Sequence, residues 1–66
     1  SSNQLMIGTE VRIIREPHFG ELAEVIKLPV ELQQLETEAK VRVLKVKLRQ
    51  NGEEMLLPRA NVEIIE

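Results

Sequence analysis

The chain contains no cysteine, no tryptophan and no tyrosine, and its one aromatic residue is Phe19. Without cysteine, neither a disulfide nor a cysteine-built zinc site can staple the fold. Without rings there is no platform for stacking single-stranded bases, no aromatic groove for proline-rich peptides and no cage for methyl-lysine. Apolar runs stay far below the ~18 residues of a membrane span. The hydroxyl side chains are Ser1, Ser2, Thr9 and Thr37, and the one imidazole is His18, a poor stock for a nucleophile with its base and orienting group. No GxSxG, HExxH, Walker or dinucleotide-binding pattern occurs. These absences predict a non-enzymatic chain with no cofactor, no metal, no small-molecule substrate and no membrane partner.

What remains is aliphatic and charged. With 66 residues the chain is one domain, and a domain of this size buries only about 60% of its unfolded surface. Its stability must come from the 42% of residues that are hydrophobic, nearly all of them aliphatic. The first seven residues are too short for the apolar core of a signal peptide and carry no basic side chain. The opening Ser1-Ser2-Asn3, without Met, reads as a domain cut from a longer protein or one with residues added at its start. Residues 1–6 are expected to be a flexible lead and residues 7–66 the domain. Lack of cysteine fits a cytoplasmic protein. Nine basic against eleven acidic residues, all Glu, give a net charge of −2, without the basic surplus of a typical nucleic-acid module.

Alternation marks the strands. Glu10–Arg15, Glu21–Leu28, Ala39–Arg49, Glu53–Leu57 and Val62–Ile65 are predicted strands, rich in Val, Ile and Leu. Pro17 and Pro29 stop the first two, because proline donates no ladder hydrogen bond. Gly20 supplies a backbone shape other residues resist. Val30 to Glu38 is expected to be a long ordered loop with room for one helical turn, and Pro58 to Asn61 a short 3₁₀ turn. Asn51-Gly52 predicts a two-residue type I′ hairpin, which would set Leu48 against Met55, Val46 against Leu57 and Arg49 against Glu54. The third strand carries Val41 and Val43 on odd positions but Leu44, Val46 and Leu48 on even ones. A period of two cannot satisfy both, so a bulge near Val43-Leu44, or a bend from one sheet to another, is expected. The predicted fold is all-β: a small five-stranded barrel with one long loop and a short 3₁₀ turn before the last strand. Its expected core is Val11, Ile13, Ala23, Val25, Val41, Val43, Val46, Leu48, Met55, Leu57, Val62 and Ile64.

Gly8 to Leu28, GTEVRIIREPHFGELAEVIKL, resembles the KOW motif of ribosomal proteins and transcription elongation factors. The likeness lies in Gly8, Val11, Ile13, Pro17, Gly20 and Val25. Glu16 and Ala23 depart from it, since the motif usually has glycine at both. The tail LLPRANVEII resembles the closing turn and strand of Src-homology-3-like barrels. The resemblance implies a small barrel that binds RNA or protein inside a larger chain, without catalysis.

Three groups of residues are candidates for function. His18, with Glu16 and Glu21 near, is either a metal or phosphate contact or an exposed loop histidine. Lys40, Arg42, Lys45 and Lys47, with Arg12, Arg15 and His18, could track an RNA backbone; the other reading is a solvated face paired with Glu53, Glu54, Glu21 and Glu24. Ile14, Ile26, Leu44, Leu56 and Ile65 fall out of phase with the core. Together on the surface they would form an apolar partner site; alternatively they bury under the long loop and Leu5-Met6. The expected function is a non-catalytic binding module excised from a larger protein, docking a protein partner or neighbouring domain. The alternative is an RNA-binding module of the transcription or translation machinery.

Overall fold

A computed structural model of the chain describes residues 4–36 and 39–66. Ser1 to Asn3 of the expected lead and Thr37-Glu38 of the expected long loop lie outside the described residues. The strands are β1 (Glu10–Ile13), β2 (Leu22–Lys27), β3 (Gln33–Gln34), β4 (Lys40–Val41), β5 (Val43–Leu48), β6 (Glu54–Pro58) and β7 (Val62–Ile64), with a 3₁₀ turn at Arg59–Asn61. The fold is all-β. Five strands form one antiparallel sheet in the order β6-β5-β2-β1-β7, and β3 and β4 form a separate ribbon. The sheet is barrel-like: its edge strands β6 and β7 are joined in sequence by the 3₁₀ turn, although they do not hydrogen-bond to each other.

The irregularity in the third predicted strand is a change of sheet. β4 pairs with β3, Arg42 belongs to neither strand, and β5 continues in the main sheet. The expected loop from Val30 therefore contains a strand, β3, rather than a helical turn. With the break at Arg42, β5 keeps one phase for the core: Leu44, Val46 and Leu48 all join the main apolar cluster with Val11, Ile13, Ala23 and Val25. Leu44, expected on the outside, is a core residue with 0% exposure. Val43 is buried outside that cluster, and Val41 is only half-buried. Met55, Leu57, Val62 and Ile64 are partly buried against the core.

The hairpin differs from a type I′ turn. Among the described residues none but glycine has positive φ, so Asn51 does not adopt the left-handed shape; Gly52 does, at φ +77°. Leu48 N–H donates to Glu53 O (2.8 Å) and Gly52 N–H to Leu48 O (2.9 Å), closing a four-residue loop over Arg49 to Gly52. Asn51 contributes through its side chain, whose Oδ1 accepts from Glu53 N–H at 2.9 Å, as turn asparagines do. The longer loop moves the register by two residues, so Val46 faces Met55, Leu44 faces Leu57 and Lys47 faces Glu54. A shift of two leaves every side chain on its expected face. A second irregularity lies in β2, where the register with β5 slips between Val25 and Lys27. The extra residue, Ile26, reverses the alternation, and Leu28 packs against the core instead of facing out with Leu22 and Glu24.

Candidate functional site

The face of the sheet away from the core divides into two zones. Around β1 and the hairpin the charges are matched. Arg12 Nη1 lies 3.3 Å from Glu63 Oε2 on β7, Arg49 pairs with Glu10, and Lys45 Nζ lies 3.5 Å from Glu54 Oε1. Lys47 stands between Glu24 and Glu54 as cross-strand neighbour of both. His18 Nδ1 lies 3.0 Å from the Glu21 carboxylate in the β1–β2 connection. Arg15 donates to the carbonyl of Ile14. These pairs are at least a quarter exposed in every case and contribute at most ~1 kcal/mol each. Their main effect is to cancel charge.

The other zone lies where β2 ends, β5 begins and the Pro29-Val30 connection crosses. Lys27 faces Lys45 directly across the β2–β5 pair, and like charges so placed repel. Arg59 donates through Nε to Val43 O (2.8 Å) and through Nη2 to Pro29 O (2.9 Å), and Arg42 Nη1 donates to Val30 O. Arg59 N–H also bonds Arg42 O at 2.9 Å. Carbonyls satisfy guanidinium donors but carry no net charge, so both arginines stay uncompensated. Among the described residues, Lys27, Lys40, Arg42 and Arg59 have no ion pair with a carboxylate, and Glu31 and Glu36 of the neighbouring loop have none with them. Aliphatic side chains accompany this zone, Val30 80% and Leu32 49% exposed, whereas Leu56, 38% exposed, lies beside the paired Lys45.

The expected sites are therefore only partly gathered. Of the five off-phase aliphatics, Leu44 leaves the set for the core. Ile26 and Leu56 flank the Lys45 position, while Ile65 adjoins Glu10 and Ile14 adjoins Asn61, at opposite ends of β1. They do not make one patch. The seven residues of the RNA reading split likewise: Arg12, Arg15 and His18 belong to β1 and its loop, Lys45 and Lys47 to the matched face, and Lys40 and Arg42 to the uncompensated zone. Lys27, Val30, Leu32 and Arg59 were not among the expected site residues. Proline followed by Val-Glu-Leu was the sequence signal for Val30 and Leu32, and basic charge the signal for Lys27 and Arg59.

Comparison with family models, curated proteins and solved structures gave no match to this chain. Among the described residues no three His, Cys, Asp or Glu side chains are grouped as metal ligands, and no helix is long and apolar enough to cross a membrane.

Proposed function

We propose that this chain is a non-catalytic binding module of a larger, cytoplasmic protein, built on a Src-homology-3-like barrel of the KOW kind, and that it docks a protein partner or a neighbouring domain. One observation carries the docking reading: Val30 and Leu32 stand in solvent on a connection whose Val30 carbonyl is held by Arg42, a cation with no carboxylate among the described residues. Exposed aliphatics gathered on a small domain mark partner sites. Gly20, at φ +90° between β1 and β2, supports the KOW resemblance. A photo-crosslinker at position 30 in cell extract is expected to yield adducts that survive ribonuclease and are removed by protease.

The second reading, RNA binding, is favoured by the uncompensated Lys27, Lys40, Arg42 and Arg59. Phosphate contacts on single strands lose affinity with salt at a log–log slope of about −0.7 each. An NMR titration with a mixed-sequence RNA pool at low and high salt separates the two: shifts at low salt that vanish at high salt would make RNA the ligand, and no shifts at low salt would dismiss it.

A further inference from the structure

We propose that the tip of the β5–β6 hairpin is a site of self-modification. The backbone nitrogen of Gly52 attacks the Asn51 side chain, which loses ammonia through a cyclic imide and becomes aspartate or isoaspartate, with the Gly52–Leu48 hydrogen bond as the gate. The reaction needs no partner and lies at the other end of β5 from the uncompensated cations.

The reacting atoms belong to adjacent residues, so the ring closes without a diffusional step. Both residues are exposed. Gly52 presents its nitrogen with no side chain to shield it, and a Cβ added there would meet only Lys47 Cε, at 3.8 Å. The Asn51 carboxamide is also held in place, since its Oδ1 accepts the Glu53 N–H at 2.9 Å. That oxygen gains negative charge when the nitrogen adds to Cγ, and a donor already aimed at it stabilises the tetrahedral intermediate. One bond opposes the attack. Gly52 N–H donates to Leu48 O at 2.9 Å, so in the closed tip the nitrogen keeps its proton and its peptide plane is fixed. Exposed hydrogen bonds at a loop tip open at low cost, and each opening frees the nitrogen. Asn61 provides the contrast. Its neighbour Val62 has a branched, stiff side chain next to the nitrogen, and the Val62 N–H is taken by Arg59 O. The Asn61 carbonyl is itself held by Ile14 N–H at 2.8 Å.

Water is the only co-reactant. Gly52 N gives its proton to hydroxide and bonds to Asn51 Cγ; the Cγ–Nδ2 bond breaks, and Nδ2 leaves as ammonia with a proton taken from water. Water then adds to either carbonyl of the imide. Opening on one side restores the main chain and leaves aspartate. Opening on the other routes the main chain through the former side chain, as isoaspartate. One water enters, one ammonia leaves, and nothing is oxidised or reduced. Either product adds a carboxylate beside Glu53 and Glu54. Isoaspartate also inserts a methylene into the main chain of the loop, which the Leu48 N–H to Glu53 O closure at 2.8 Å cannot span unchanged. The hairpin end of β6 is then released.

The test incubates the full chain, warm and at neutral pH, beside the same chain in concentrated urea and the capped peptide Leu-Arg-Gln-Asn-Gly-Glu-Glu, which copies residues 48–54. Peptide mapping by mass spectrometry follows the conversion of each asparagine and separates aspartate from isoaspartate. Both products are expected at Asn51, ahead of any change at Asn61, with the folded chain about tenfold slower than the peptide and the urea sample. In amide NMR the modified chain should shift Leu48, Gly52 and Glu53 and leave the Val11 and Val25 signals in place. Asn51→Gln, whose ring would be larger and slower to close, is expected to remove the product. Should that variant fold poorly, the unaltered chain against its peptide still decides. Conversion that comes first at Asn3 or Asn61, a folded chain that reacts as fast as the peptide, or an unchanged Asn51 once the peptide has fully converted would overturn the inference.

Discussion

The two zones of the outer face hold similar side chains and treat them differently. Around β1 and the hairpin, Arg12, Lys45 and Arg49 meet carboxylates across strands. At the β2–β5 end, Arg42 and Arg59 meet main-chain carbonyls. In both zones the donors are satisfied, but only in the first is charge cancelled. Ion pairing between exposed strands is a way of making a surface inert. Guanidinium-to-carbonyl bonding holds a connection in place while leaving a field that an outside anion can use.

The sharpest way to break this contrast is in the core that both zones share. Leu44→Ala should cost about 2–5 kcal/mol in denaturant unfolding, whereas Leu56→Ala, on the facing strand but exposed, should stay within about 0.5 kcal/mol; equal losses would mean the faces are misassigned. Arg59→Met comes next. It leaves the Val43 and Pro29 carbonyls without their charged donor, and a loss of about 1.5–3 kcal/mol is expected; a neutral result would show that the Pro29 connection is not held by this side chain. Gly52→Ala should cost about 1–2 kcal/mol, from backbone strain alone, since the added Cβ would meet only Lys47 Cε at 3.8 Å. The smallest effect belongs to the matched zone: Glu63→Gln should change stability by no more than about 0.5 kcal/mol and less still in 1 M salt.

Much of the sheet was legible from alternation. Val11 and Ile13, Ala23 and Val25, and Val46 and Leu48 occupy the expected interior, and the turn before β7 lies one residue from its expected start. The hairpin register was not, because Asn51 acts through its side-chain oxygen, and a dipeptide cannot reveal that choice. The slip by an even number kept the inward set intact, so the core survived a wrong turn type. Leu44 and Leu28 were misplaced for one common reason: each lies two residues past a position where alternation breaks, at Arg42 and at Ile26, and the period carries no information across a break. The surface zones were the least legible. Lys27 and Val30 are three residues apart, but Arg42 and Arg59 are far from them in sequence and meet them only through strand register and the Pro29 connection.

The single residue Arg42 separates β4, paired in the ribbon, from β5, which lies between β6 and β2 in the main sheet. That leaves no slack between the two. Arg42 itself grips the Val30 carbonyl across the joint. The ribbon and the Pro29-Val30 connection are thus tied together where β5 enters the sheet, two residues before the buried Leu44.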